Sequence, residues 1–256
     1  VGARLDQHFL VSEDAAQRIV EAAGAAPRYL EIGPGRGILT GRLLQRAPVT
    51  AVELDGRLAA ALPDRFPGAP LEILNEDFLQ VDLARLPSPC VVVSNLPYSV
   101  GTPILQRLLD WPAWETAVLM FQKEVALRCL AEAGDKKYGL LSVSVALKAE
   151  AELVCEVPRG AFDPPPEVES AVVRLRRLPK PRLPEGLIEE EFFRVVRAAF
   201  SQRRKMAAKA IAAALQVERA RVEKAFAETG IEPSARAETI PLEAFLALCL
   251  ALRRGA

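Results

Sequence analysis

The sequence is poor in the residues that build metal centres and disulfide frameworks. It holds one histidine, His8, and four cysteines, Cys90, Cys129, Cys155 and Cys249, none of them spaced Cys-x-x-Cys. That argues against a zinc site or a stapled secreted scaffold, and the apolar surroundings of Cys90, Cys129 and Cys249 read as core positions. Long hydrophobic runs are missing as well. Leu140 to Leu147, among the longest, is interrupted by serine and falls short of the ~20 apolar residues of a membrane span. No segment has the charged, apolar and small-residue order of a signal peptide. A cytoplasmic protein with no membrane partner is expected, and a monomer. Net charge is absent overall, with 33 basic and 33 acidic side chains.

What is present is a large apolar fraction, half of 256 residues, enough for one large domain and a small one without covalent staples. The charge is unevenly spread. Residues 1–178 carry 19 basic and 23 acidic side chains, whereas residues 179–256 carry 14 and 10. The basic tail hints at a polyanionic partner.

At the centre of the chain Val91-Val92-Val93 runs into Ser94-Asn95-Leu96-Pro97-Tyr98. The β-branched run reads as a buried strand, and Pro97 keeps Leu96 out of the α region. The loop therefore offers the Asn95 side-chain oxygen, the Leu96 carbonyl and the flat face of Tyr98. Two acceptors beside a stacking surface suit a planar amine, although Asn and Pro also form ordinary turns.

Upstream, Asp14 to Ala23 has helical apolar spacing, with Ser12 or Asp14 as cap. Tyr29–Ile32 reads as a strand, Gly33-Pro34-Gly35-Arg36-Gly37 as a turn, and Ile38 to Gln45 as a helix. That is the opening of a parallel α/β sheet. The third glycine arrives one residue early for a dinucleotide fingerprint, and no Gly-Lys-Ser/Thr follows for a P-loop. Glu31 at the head of the turn opposes phosphate and suits a cation. Further strands are read at Val49–Glu53, Leu71–Leu74, Cys90–Ser94 and Ala117–Phe121. Glu53 closes its strand 20 residues after Gly33, where a carboxylate can take both ribose hydroxyls, with Asp55 as competitor. Asp77 follows the next strand. Two last strands, Glu152–Val157 and Ala171–Leu175, add one antiparallel member to a mostly parallel, seven-stranded sheet. The segment joining them, Arg159 to Pro166, is too rich in proline for regular structure and can hold Phe162 at the ligand edge.

A stiff Pro-rich stretch, Leu178 to Pro184, separates residues 1–178 from a small all-α domain, 179–256. In that domain Phe192, Val196, Ala199 and Phe200 make one apolar stripe, and Leu242, Phe245, Leu246 and Cys249 another. Between them lies Ser201-Gln202-Arg203-Arg204-Lys205, and helical spacing puts Arg197, Ser201, Lys205 and Lys209 on one face. Such a charge run is also how a solvated helix face looks.

Taken together, Gln7-His8-Phe9-Leu10, Glu31-Ile32-Gly33-Pro34-Gly35-x-Gly37, Asn95-Leu96-Pro97-Tyr98, Gln122-Lys123-Glu124-Val125-Ala126, Phe162-x-Pro164-x-Pro166-x-Val168 and Phe200-Ser201-Gln202-Arg203-Arg204-Lys205 resemble the ribosomal RNA adenine dimethyltransferase family over nearly the whole chain. The last two motifs are similar to those of its bacterial housekeeping branch, which acts on two adjacent adenosines near the 3′ end of small-subunit (16S) rRNA. The antibiotic-resistance branch, acting on 23S rRNA, is the alternative. His8 stands where Asn is frequent in the family, and Arg36 where an apolar residue is usual.

The resemblance implies a Rossmann-like class I methyltransferase fold in residues 1–178, an rRNA-docking role for residues 179–256, and S-adenosylmethionine as methyl donor, without a metal. It implies cofactor contacts from His8, Leu10, Gly33, Gly35, Glu53, Asp77 and Asn95, and methyl transfer organised by Asn95 and the Leu96 carbonyl. Tyr98 and Phe162 would clamp a flipped adenine, and Arg203, Arg204, Lys205 and Lys209 would meet RNA. Two other classes compete: a nicotinamide-dependent oxidoreductase, opposed by the glycine spacing, and a non-catalytic assembly factor, opposed by the intact Asn95–Tyr98 loop.

Overall fold

The computed structural model describes residues 7–202 and 204–254, which divide into two compact units: 7–127 with 149–177, and 128–148 with 178–254. The first unit opens with a two-residue strand β1 (Phe9–Leu10) and helix α1 (Glu13–Ala23). The Ser12 hydroxyl accepts the Ala15 N–H and so caps α1, satisfying one of the orphan donors of its first turn. Then follow β2 (Tyr29–Ile32), α2 (Ile38–Leu44), β3 (Val49–Val52), α3 (Gly56–Arg65), β4 (Leu71–Leu74), β5 (Cys90–Asn95), α4 (Gly101–Asp110) and β6 (Trp114–Gln122). Helix α5 (Lys123–Leu130) leaves this unit, and α6 (Leu140–Lys148) belongs to the second. The chain returns through β7 (Ala149–Val157), β8 (Phe162–Asp163) and β9 (Ser170–Arg177).

Seven of these strands form one sheet in the order β4-β3-β2-β5-β6-β9-β7. β9 runs antiparallel to both β6 and β7, and the other pairs are parallel. The expected single antiparallel member is therefore β9, inserted between its neighbours. β5 lies at the middle with Val91, Val92 and Val93 all buried, as a parallel strand covered on both faces requires. One of those faces joins Val91 and Val93 to Ile19 and Val20 of α1, Val118 of β6 and Val172 of β9 in a single apolar cluster. Each such side chain contributes roughly 1.5–3 kcal/mol by leaving water. The parallel strands all end at one edge, where β2, β3 and β5 deliver Glu31, Glu53 and Asn95.

One segment departs from expectation. Arg159 to Pro166 contains β8, which pairs antiparallel with β1 through Leu10↔Phe162 and Phe9↔Asp163. Two-residue strands carry no periodic signal, and the prolines begin one residue after β8 ends.

The second unit packs α6 with α7 (Glu189–Phe200), α8 (Ala207–Leu215), α9 (Arg219–Glu228) and α10 (Leu242–Arg254). Phe192, Val196, Phe226 and Phe245 are fully buried in its core, together with Val143 and Leu147 of α6. So a single boundary at 178/179 does not describe the division: residues 128–148 share the core of the C-terminal helices. The Pro-rich stretch marks one crossing, but the crossing inside α5 has no proline or glycine to announce it.

The basic run also differs from its expected form. α7 ends at Phe200 and α8 begins only at Ala207. Ser201 turns back, its hydroxyl donating to the Ala198 carbonyl at 2.7 Å, and Lys205 N–H reaches the Gln202 carbonyl at 2.8 Å. Arg197, Ser201, Lys205 and Lys209 therefore do not share one helix. Arg204, Lys205 and Lys209 are all exposed, while Arg203 lies outside the described residues.

Candidate active site

The turn between β2 and α2 needs its glycines. Gly33, Gly35 and Gly37 have φ of 67°, 55° and 81°, left-handed values that side chains resist. A Cβ on Gly35 would press on the Phe9 ring at 3.2 Å, and one on Gly37 would meet Phe66 at 2.9 Å. The turn is further held by Glu53. Its Oε2 accepts the Gly35 N–H at 3.0 Å and its Oε1 accepts the Asp55 N–H at 2.8 Å. Burial nonetheless raises the Glu53 carboxyl above its ordinary range, against the pull of those two donors.

Beside it Glu31 is 1% exposed. The Thr40 hydroxyl lies 2.7 Å from its Oε2. Burial pushes the Glu31 carboxyl up to about 8, with the hydrogen bond to Thr40 opposing and the Glu53 charge adding. Asp55 behaves oppositely: hydrogen bonds from the Arg57 side chain and backbone hold it down to about 2.

On the other side of the cleft, β5 ends at Asn95. Its Nδ2 donates to the His8 carbonyl at 3.1 Å, which leaves Oδ1 as the acceptor facing away from that partner. Leu96 is buried, and its N–H donates to the Met120 carbonyl at 3.2 Å, so the start of the loop is pinned to β6. The Tyr98 hydroxyl shares a 2.6 Å hydrogen bond with the fully buried Ser170. The Tyr98 ring lies 5.4 Å from the His8 ring, inclined 30°. His8 Nδ1 is 2.9 Å from the Pro164 carbonyl, which as an acceptor makes Nδ1 the donor.

These parts surround one open cleft of ≈ 680 Å³ of atom-free space. Its lining combines Gln7 to Leu10, Glu31, Gly33 to Arg36, Glu53 and Asn95 to Tyr98. The structure thus brings His8, Leu10, Gly33, Gly35, Glu53, Asn95, Leu96 and Tyr98 together. Two expected residues stand apart from the lining. Phe162 is 3% exposed and packed in the sheet core through its pairing with Leu10, so its ring does not offer a stacking face. Asp77 turns its carboxylate onto its own loop, accepting the Leu79 N–H at 2.9 Å. A strand-end position suggested Asp77, a proline-rich loop suggested Phe162, and the family resemblance supported both.

Three contributors were given no role from the sequence. Arg36 ion-pairs with Asp163 at 2.7 Å and lies 4.2 Å over the Phe9 ring, tying β1, the glycine turn and β8 together. Thr40 and Ser170 act from beneath. A serine or threonine inside an apolar element gives no motif to find.

A family model described as ribosomal RNA adenine dimethylase matches residues 2–253. The chain belongs to that family. It is therefore an S-adenosylmethionine-dependent rRNA adenine methyltransferase, and the oxidoreductase reading falls away. Among its relatives, the Ribosomal RNA small subunit methyltransferase A of Ruegeria pomeroyi is 44% identical, with 98% of this chain and 91% of the relative covered. The protein of that name from Dehalococcoides mccartyi is 41% identical over 96% of this chain and 86% of the relative. Among solved structures, a dimethyladenosine transferase from Plasmodium falciparum superposes with a TM-score of 0.80 at 27% identity, covering 96% of this chain and 98% of that one. The 23S rRNA methyltransferase ErmE gives 0.74 at 33% identity, covering 96% and 99%.

The donor set fits the cofactor this family implies. A glycine turn with open space over Gly33 admits a ligand's backbone closely, and two buried carboxylates suit a cation. Among the described residues no group of three or more His, Cys, Asp or Glu side chains is placed to hold a metal ion, and no helix is long and apolar enough to cross a membrane.

Proposed function

We propose that this rRNA adenine methyltransferase acts in the cytoplasm on small-subunit rRNA, dimethylating the 6-amino groups of two adjacent adenosines in the 3′-terminal hairpin of 16S rRNA. The orientation of Asn95 carries the chemical part of this reading. An adenine amino group is a poor nucleophile because its lone pair is delocalised into the ring. With Nδ2 committed to the His8 carbonyl, Asn95 Oδ1 accepts one amino hydrogen and the Leu96 carbonyl the other. Both favour a pyramidal nitrogen whose lone pair is free to attack, so they stabilise the transition state as well as orient the base.

S-adenosylmethionine, when bound, supplies an electrophilic methyl group on a sulfonium. The Gly33 to Gly37 turn takes the amino-acid portion, Glu53 takes the ribose hydroxyls with the lone pairs its two N–H partners leave over, and His8 and Leu10 cover the site from β1. Tyr98, its hydroxyl anchored by Ser170, gives the flipped base a stacking face worth roughly 1–3 kcal/mol. Phe162 acts here through Leu10, as the strand partner that holds β1 in place. The proton lost from the methylated nitrogen passes to water, since that nitrogen becomes acidic once methylated.

The small-subunit assignment over the 23S alternative is supported by the identities of 44% and 41% with small-subunit relatives, against 33% with the 23S enzyme. The test is incubation with unmethylated small subunits, or with large subunits, and labelled cofactor, followed by mapping of the modified nucleotides. Label confined to 23S rRNA transfers the chain to the other branch, and label in neither leaves the assembly-factor reading.

A further inference from the structure

Glu31 and Glu53 line the same cleft from adjacent strands, yet their hydrogen-bond partners differ in kind. Glu53 is met by two backbone N–H groups, from Gly35 and Asp55. Those can only donate, and with one on each oxygen they favour the carboxylate over the acid. Glu31 is 1% exposed and is met by Thr40, through its hydroxyl at 2.7 Å and, more weakly, through its backbone N–H. A hydroxyl both donates and accepts: it donates to Glu31 as a carboxylate and accepts from Glu31 as an acid. The hydroxyl beside Glu31 is suited to both protonation states, whereas the paired N–H groups on Glu53 favour the charged one.

Two buried carboxylates in one low-dielectric cleft cannot both carry charge without loss, because desolvation and mutual repulsion act together. The backbone donors favour the charge on Glu53 against its burial, and Glu31, more deeply buried, has fewer such donors. Other charged or titratable groups lining the cleft are Arg36, His8 and Tyr98, the last with its hydroxyl on Ser170. Arg36 is engaged with Asp163 and the Phe9 ring, and His8 with the Pro164 carbonyl and Tyr98. Asp55, behind Glu53, is held by Arg57. The excess proton of the free site therefore resides on Glu31, in agreement with the raised value that its burial produces.

We propose that the protein takes up its cationic cofactor with release of the Glu31 proton to solvent, so that binding turns a buried carboxylic acid into the ligand's counter-charge. This rests on the reading of the cleft as the S-adenosylmethionine site. It gives the free protein a cleft without an unpaired buried charge, and it supplies that charge only when a cation enters. Affinity then rises with pH below about 8, approaching tenfold per unit for one proton.

Titration calorimetry with S-adenosylmethionine at pH 6.5, in buffers of different ionisation enthalpy, counts the protons exchanged. At that pH the cofactor's own amine, with an ordinary value of about 7.7–8.0, is already charged. We expect close to one proton released by the wild type, none by Glu31→Gln, and an affinity in the variant that is at least tenfold lower and flat with pH. A wild-type infrared difference spectrum, which needs no variant to fold, should show loss of a protonated-carboxyl band on binding. Binding without proton release overturns the proposal and leaves the cofactor site standing. Release that persists in Glu31→Gln removes Glu31 as its source. Failure to bind S-adenosylmethionine at all overturns the site and the proposal together.

Discussion

The Asn95 amide donates from Nδ2 to the His8 carbonyl at 3.1 Å, and that bond decides which way its oxygen faces. A carbonyl can only accept, so the amide has one satisfied orientation. The N-terminal segment thus sets the acceptor that the proposed mechanism uses.

If Asn95 acts mainly on the transition state, Asn95→Ala lowers kcat by about 100-fold or more while cofactor affinity changes little. Asn95→Asp places a second acceptor against the His8 carbonyl and should fare no better, although it keeps an oxygen. Single-turnover methylation beside calorimetric titration separates the two effects. Near-normal turnover in either variant would remove Asn95 from the chemistry.

Glu53 holds the Gly35 N–H as well as facing the cleft. Glu53→Ala should weaken S-adenosylmethionine binding by roughly 1.5–3 kcal/mol, the range for hydrogen bonds to a charged group. Calorimetry reads this directly, and unchanged affinity would mean that the ribose lies elsewhere.

Glu31 also makes stability depend on pH. Its folded value of about 8 lies above the ordinary one, so between roughly 4.5 and 8 the folded chain binds a proton that the unfolded chain has lost. Stability contributed by the protonated acid is fully present below that window and is lost as pH rises through it, by up to about 1.4 kcal/mol per unit. Melting temperatures of cofactor-free protein at pH 5 and pH 8 should fall further for wild type than for Glu31→Gln. Equal falls would mean that Glu31 is ionised in the free protein.

How much of this was legible depended on whether a residue's role is local. β2, the glycine turn and α2 announce themselves because Gly33, Gly35 and Gly37 sit at φ of 55–81°, values that favour glycine. β5 and its loop are equally plain, since three valines stop at Asn95 and Pro97 within a few residues. The β1–β8 pairing joins residues 152 or more apart through two-residue strands, and no local period encodes that. Phe162 and Asp77 were placed by sequence position relative to the sheet edge, but their directions depend on Leu10 and on the Leu79 N–H. The helical unit was legible as apolar stripes, and the break between α7 and α8 was not. Charged residues at regular spacing look the same on a helix as across its end.

Ser170 positions Tyr98 from within the core. Ser170→Ala frees the phenol and should cost about 0.5–1.5 kcal/mol, the net worth of one such bond. The loss should appear mainly in kcat/KM for RNA, with cofactor affinity intact. Ser170→Thr keeps the hydroxyl and should restore part of the activity. A cofactor-binding defect as large as the RNA defect would make Ser170 a general fold contact.

The last prediction concerns the basic run, where a functional role and plain solvation look most alike. Arg204, Lys205 and Lys209 are exposed. Arg204 and Lys205 fall between α7 and α8, and Lys209 in the first turn of α8, so all three can follow a phosphate backbone without displacing apolar contacts. Phosphate contacts are independent of sequence and sensitive to salt, each adding about one unit to the slope of log affinity against log salt. Replacing Arg204, Lys205 and Lys209 by Ala should weaken binding to small subunits and flatten that slope by up to about three units. S-adenosylmethionine affinity should stay unchanged, since none of the three lines the cleft. The melting temperature should also hold, because exposed charges contribute little to stability. If subunit binding keeps the wild-type salt dependence, the run is a solvated surface and RNA is held elsewhere. A large fall in melting temperature would instead give these residues a structural role that their exposure argues against.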